Sequence, residues 1–413
     1  MLGETRAALS DLAGVFEAEP QNVRVAAQLA RLYAQVNDHQ GVITALTPVL
    51  EDHSATVEDW YLRVRAHKAL GQNTAALTDV ERILNLDDTH QAARETRASI
   101  YRENGDHQLA VNDLTKLMET HGTEVDWLRQ RAAAYAAMQQ SEAMLSDYAA
   151  LLKLKPNDVP VRLARAQYLM TVSETAGARE DVEQILNEQP DHSEALAIRG
   201  NALYEQGDYS AAALDFDRLL SSDNSNSDML WKRCRCRLEQ QLNTLALTDL
   251  DLLIERDPQH REALMARAGL KEQSGVYAAA IDDLNAVIAS TPDHLQAWKL
   301  RGTIYHRMGQ FEDAVGDFSH ALRIDENDAE IYYRRGLAWH QLRQPASAMD
   351  DLNAAIRRND QVADFWYARG NVQASQQATD AAVADYQQAI DRDADHAAAW
   401  YIQGNMLYGQ QHL

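Results

Sequence analysis

Apolar side chains recur along this chain on a fixed ruler of 34 residues. One mark of the ruler is alanine: Ala76, Ala110, Ala178, Ala212, Ala246, Ala280, Ala314, Ala348 and Ala382, with Ala8 in phase and only Val42 and Met144 interrupting. Four residues after each mark stands a large apolar side chain, from Leu12 and Leu46 through Phe216 and Phe318 to Tyr386. Three further on comes another apolar residue, from Val15 to Ala389. Offsets of four and three lie on one stripe of a helix. A second stripe precedes it, marked by Trp60, Trp298, Trp366 and Trp400, each followed four residues later by Val64, Gly302, Gly370 or Gly404. Glycine there points to close backbone approach. Each period therefore predicts two amphipathic helices and two turns. One turn often carries glycine, as at Gly71, Gly105, Gly207, Gly275 and Gly309. The other carries Pro20, Pro156, Pro190, Pro258 or Pro292, where a missing N–H does no harm.

Counted from three residues before the tryptophan position, eleven complete periods fill 23–396 without insertion or deletion. Residues 1–22 then form the second helix of an incomplete period, and 397–413 the first helix of another. Repeats of this length stack so that each covers its neighbour's apolar face. The expected fold is all-α, an α-solenoid superhelix of helix–turn–helix units. Leu9, Leu12, Val15, Leu407 and Tyr408 call for cover at the two ends. They predict either a piece of a longer protein or ends completed by another chain.

Two charged positions share the ruler. Arginine fills position seven in ten successive periods, from Arg63 to Arg369, and aspartate fills position 23 in the same ten, from Asp79 to Asp385. The one complete period with Leu29 for the arginine also has Ala45 for the aspartate. Joint presence and joint loss predict a pair joining the two helices of each unit, with the arginine fork gripping a carboxylate. A weak stretch is expected at 221–275, after the polar turn SSDNSNSD, where Arg237 and Lys271 stand at usually apolar positions.

Charge and chemistry narrow the function. With 39 basic and 62 acidic residues the net charge is −23. That opposes nucleic acid, which is bound through a basic surface, and an anionic membrane. No apolar run reaches the length of a membrane span, and the start MLGETRAALSDLAG lacks both regions of a secretion signal. A soluble chain is expected, cytoplasmic by preference, with an N-terminus that looks truncated. Two cysteines exclude a disulfide framework, and Cys234 and Cys236 stand at apolar positions. No phosphate-binding glycine loop, nucleophile elbow or metalloprotease motif occurs. His90, His192, His260, His294 and His396 share the last position of their periods and are too widely spaced for one metal ion. No cofactor, metal or catalytic activity is expected.

The stretch Trp298 to Ala321, WKLRGTIYHRMGQFEDAVGDFSHA, resembles the tetratricopeptide repeat nearly residue for residue, and the resemblance extends over the whole chain. It implies a non-enzymatic scaffold whose first helices line a concave groove that takes a peptide or protein segment. Family groove positions here carry 11 basic and 12 acidic side chains, so nearly all the net charge lies elsewhere. The co-chaperone carboxylate clamp of that family is not reproduced. Lys299 meets its first requirement, but Thr303 follows, and Arg334 falls one repeat early.

The groove positions are richest toward the C-terminus. Tyr333, Tyr367 and Tyr401 share one position, with Asn371 and Asn405 one turn on. His306 and His340 share another, beside Lys299, Arg307 and Arg334. Tyrosine and arginine are common binding anchors, and an asparagine amide can hold a peptide backbone. A secondary basic cluster of Arg24, Arg31, Arg65 and Lys68 could receive an acidic segment. Two alternatives stand beside this reading: a targeting arm of a larger enzyme, and head-to-tail self-association through the half-units.

Overall fold

The computed structural model describes residues 2–50, 55–222 and 225–411. Asp223 and Asn224 of the polar turn, with Met1, His412 and Leu413 of the expected terminal half-units, lie outside them. Every regular element among the described residues is an α-helix. The chain divides into two compact units, Met1–Ile198 and Arg199–Leu413. The first holds α1 (Leu2–Ala18), α2 (Val23–Gln35), α3 (His39–Leu46), α4 (Val57–Ala69), α5 (Asn73–Leu86), α6 (Gln91–Asn104), α7 (His107–His121), α8 (Val125–Ala137), α9 (Ser141–Leu154), α10 (Val159–Thr171) and α11 (Thr175–Glu188). α12 (Ser193–Glu205) carries the boundary. The second holds α13 (Tyr209–Ser222), α14 (Ser227–Glu239), α15 (Asn243–Arg256), α16 (Arg261–Gln273), α17 (Tyr277–Ser290), α18 (Leu295–Arg307), α19 (Phe311–Ile324), α20 (Ala329–Gln341), α21 (Pro345–Arg358), α22 (Ala363–Ser375), α23 (Thr379–Arg392) and α24 (Ala397–Gln411). From α2 onward, even and odd helices each open every 34 residues. Within each unit a helix packs on the next one along the chain, which is the antiparallel stacking of an α-solenoid.

Local chemistry sets the helix ends. The five histidines at the last position are N-caps: His90, His192, His260, His294 and His396 each accept the amide three residues on through Nδ1, at 3.1–3.4 Å. Asn22, Asp158, Asn226 and Asp328 accept the same bond through oxygen. The turn inside each unit requires one residue with positive φ. Glycine supplies it at Gly105 (86°), whereas Arg343 adopts it at 57° despite its side chain.

The core is a small-against-large pairing repeated along the array. A methyl group built on Gly302 would sit 2.9 Å from Cε1 of Phe318, and one on Gly370 would sit 2.7 Å from Cε1 of Tyr386. Gly200 meets Phe216 in the same way. Where the first position holds Val64, its counterpart shrinks to Val80, and both are fully buried. Space given up by one helix is thus filled by the other.

The arginine–aspartate pairs form in all ten periods. Each Nε donates to one carboxylate oxygen at 2.6–3.2 Å and each Nη2 to the other at 2.5–2.7 Å. The arginine also reaches backward, which the sequence did not indicate. Nη1 of Arg131, Arg267, Arg335 and Arg369 donates to Thr115, Asp251, Ser319 and Asn353 on the preceding odd helix. One guanidinium therefore ties three helices. Its hydrogen bonds to Asp317 hold the Arg301 guanidinium above its usual pKa, while burial outweighs Arg301 and pushes the Asp317 carboxyl up. The indole of the second stripe straps the turn before it: Trp298, Trp366 and Trp400 donate through Nε1 to the carbonyls of Pro292, Asp360 and Ala394 at 2.7–2.9 Å.

At the stretch 221–275, Arg237 is paired twice, with Asp217 at 2.9 Å and Asp249 at 2.8 Å. Lys271 meets Asp283 at 3.0 Å. Both heads extend the ladder, and their stems take the place of apolar side chains.

Candidate binding site

The first-helix face of the second unit brings part of the expected site together. α18 touches α20 and α20 touches α22, and side chains from all three helices reach one cavity. His306, Arg307, Tyr333 and Arg334 converge there on a cavity of about 310 Å³. Its apolar walls are Phe318, Leu337, Val362 and Phe365, and Thr303, Glu330 and Asp364 complete it. A more open cleft of about 400 Å³ adjoins it, lined by Lys299, Thr303, Arg307, Glu330 and Arg334 among others.

The charges here are engaged. Lys299 Nζ lies 2.6 Å from Asp328, Arg334 lies 2.8 Å from Glu330, and Arg307 pairs with Glu272. Burial works against the Asp328 carboxylate, but hydrogen bonds from Lys299 and the Ile331 and Glu330 amides outweigh it and hold its pKa below the usual value. Tyr333 packs on Phe365 with ring centres 5.0 Å apart, and burial, with help from Asp364 and Glu330, pushes its phenol up to about 12. His306 meets Phe311 edge-on at 5.2 Å, and its Nε2 is buried without a hydrogen-bond partner.

The remaining expected residues lie outside this cavity. Tyr367 packs against Tyr386 and His396, and Asn371 accepts the Tyr386 hydroxyl at 2.9 Å, so both are tied to internal neighbours. His340 is half-buried, while Asn405 is exposed and Tyr401 is 72% exposed. In the first unit, Arg24 and Arg65 are exposed, Arg31 stands 3.7 Å from Asp59, and Lys68 donates to Ser99 at 2.6 Å and meets Glu103 at 3.3 Å. Two of the four basic residues there already have acidic neighbours. The sequence reading missed the walls Leu337, Val362 and Phe365, because an apolar residue at helical spacing looks the same in a core and in a cavity wall.

Burial lowers the pKa of His306 and of His340, and Arg334 adds to the effect at His306. The unfolded chain therefore binds protons at these sites at higher pH than the folded one. Their contribution to stability is complete above the unfolded value of about 6.5 and is lost as pH falls through the lower folded values. Denaturation midpoints should fall between about pH 7.5 and pH 5, with a smaller fall in His306→Phe/His340→Phe. Equal falls in both proteins would refute this.

Cys234 and Cys236 are buried, and burial pushes their thiols up to about 12 and about 11, which suits packing and not reactivity. Among the described residues no cluster of three potential metal ligands occurs, and no helix is long and apolar enough to cross a membrane.

Comparison with known proteins agrees with this architecture. The family model described as tetratricopeptide repeat matches residues 163–228, 237–294, 333–393 and 367–413, and one described as TPR repeat matches 302–342. No curated protein matches the chain. Among solved structures, the C-terminal part of a TPR repeat-containing protein from Cytophaga hutchinsonii is 16% identical, with a TM-score of 0.50, over 57% of this chain and 97% of that one. A tetratricopeptide repeat protein from Parabacteroides merdae is 18% identical, with a TM-score of 0.42, over 60% and 98%. YrrB, described as a TPR protein with an unusual peptide-binding site, is 18% identical, with a TM-score of 0.42, over 46% and 97%. With the two models together matching more than half of its length, and with paired helices opening every 34 residues, the chain belongs to the tetratricopeptide repeat family, whose members are typically non-catalytic protein-interaction scaffolds.

Proposed function

We propose that this scaffold binds a segment of another protein on the first-helix face of its second unit, around His306, Arg307, Tyr333 and Arg334, with Lys299 in the adjoining cleft and Tyr401 and Asn405 further along. The observation that carries the reading is the convergence of those first four side chains on one half-open cavity with apolar walls. Apolar pockets with a few convergent polar groups are the usual form of a binding site. Tyr367 and Asn371 contribute indirectly, by fixing Tyr386 beneath α22.

The test is crosslinking and capture from the source cell with the full chain and with Arg334→Ala/Tyr401→Ala. Both side chains are exposed enough to be removed without opening the core; Arg334 is 41% exposed. Partners captured by the parent and reduced at least about fivefold in the variant are expected, since arginine and tyrosine anchors commonly contribute more than about 1 kcal/mol each. An unchanged partner list from a variant of unchanged helicity would remove this face from consideration.

A further inference from the structure

Inside each complete repeat a first helix packs on a second, and α24 and α1 each carry one half of that contact uncovered. α24 has the first-helix pattern and packs on α23. Its other side is open. A methyl group built on Gly302, Gly336 or Gly370 would crowd Phe318, Leu352 or Tyr386 of the following helix, whereas one built on Gly404 meets nothing within 4 Å. Trp298 stacks on His320 and Trp366 lies under Arg392, again from the following helix, whereas Trp400 is 52% exposed and Leu407 is exposed beside it. α1 is the converse, a second helix with its first-helix side open. Leu352 and Ala355 of α21 are fully buried, while the equivalent Leu12 is half-buried and Val15 is 46% exposed.

Register and charge name the occupant. The open side of α24 continues an interface that the fold already makes in every complete repeat, and α1 carries the complementary stripe in phase: Leu12 stands where Leu352 faces Gly336. Two copies of a chain with net charge −23 repel one another, but α24 contains no charged residue. Covering it therefore desolvates no ion of its own. We infer that α24 of one copy docks on α1 of a second copy, head to tail, with the second copy's Leu12 seated on Gly404 and its helix covering Trp400 and Leu407. One part of the internal contact is missing from this joint. The ladder position holds Gln403, which donates to Gln387 at 3.0 Å and to the Val383 carbonyl at 3.3 Å, so the exposed Asp11 of the second copy meets no guanidinium. The joint is weaker than an internal contact and reversible.

This inference is independent of segment binding, and its test uses the full chain with no partner. Average mass by light scattering should rise with protein concentration, and rise further with salt, which screens the repulsion between copies. Gly404→Phe fills the seat and should weaken association at least about tenfold. Nothing surrounds that site within one copy, so helicity should be unchanged. Gln403→Arg supplies the missing ladder partner and should tighten association about tenfold, a gain that Asp11→Ala should cancel. Gly404→Phe mixed with Val15→Arg should give dimers and nothing larger, because each copy keeps one competent face. A constant monomer mass for the parent, association that weakens with salt, or a mixture no heavier than a monomer would each overturn the inference. So would a Gln403→Arg variant that gains nothing, or a gain that survives Asp11→Ala.

Discussion

Arg301→Ala is expected to destabilise the second unit by about 3–5 kcal/mol, and Asp317→Ala by a similar amount. Asp317 is 5% exposed and receives two hydrogen bonds from Arg301, at 2.8 and 2.7 Å. Removing the arginine leaves a carboxylate in a site where burial already pushes its pKa up. Removing the aspartate leaves a guanidinium that is only 15% exposed and has lost its strongest acceptor. Replacing such a pair by apolar side chains is often neutral or stabilising, because the desolvation of two charges offsets much of their attraction. The chain contains the alternative filling. In the period of α2 and α3, the same two positions hold Leu29 and Ala45, which are 2% and 1% exposed. The double variant Arg301→Leu/Asp317→Ala should therefore cost less than either single change. Chemical denaturation, with hydrogen exchange read over α18 and α19, measures all three proteins. A single variant that unfolds like the parent would show that the ladder carries no stability.

That contrast explains which parts of the structure were legible in the sequence. The ladder was visible because Arg and Asp are absent together from one period, and a coupled absence reports contact. The helices were visible because offsets of four and three recur without an indel to blur them. What stayed hidden was any polar link between periods. The backward reach of Arg335 to Ser319 and of Arg369 to Asn353 uses a position that holds Thr, Ser, Asn, Asp, Glu or Gln in most periods but alanine at Ala149. Most of these side chains can accept a hydrogen bond, yet the changing letters hide the shared chemistry. The five histidines at the last position of their periods were set aside as too widely spaced for a metal, and their role as Nδ1 caps needs the helix to be seen. At the candidate site, polar and aromatic residues stood out against the repeat pattern, whereas the depth of the cavity depends on side-chain packing that no single position encodes. Tyr367 and Tyr401 share one register position, but the first is covered by Tyr386 and His396 and the second is largely exposed. Register alone could not separate them.

Phe318→Ala is expected to cost about 3–5 kcal/mol, the range for emptying a fully buried aromatic site. The loss should sit toward the upper end, because the facing residue is Gly302 and has no side chain that could move into the space. The converse change, Gly302→Val, adds bulk where a Cβ would already meet Phe318 Cε1 at 2.9 Å and Asp317 Cβ at 3.2 Å. Such overpacking costs typically about 1–3 kcal/mol. Asp317 is part of the ladder, so this variant should also disturb the Arg301 pair and show faster exchange on both α18 and α19. Combining Gly302→Val with Phe318→Val reproduces the Val64/Val80 pairing of the period of α4 and α5, where the two helices pack with both side chains fully buried. The double variant should recover at least about 1 kcal/mol relative to the sum of its single changes, which is the coupling expected of residues in direct contact. Additivity within about 0.3 kcal/mol would mean that Gly302 and Phe318 do not share one space, and the small-against-large account of the core would fail. The same substitutions bear on the binding face, since Phe318 is both a core residue of α19 and a wall of the cavity that His306 borders. Valine at both positions would remove an aromatic wall from that cavity, so loss of partner binding with retained fold would tie recognition to the apolar wall and not to the charged rim.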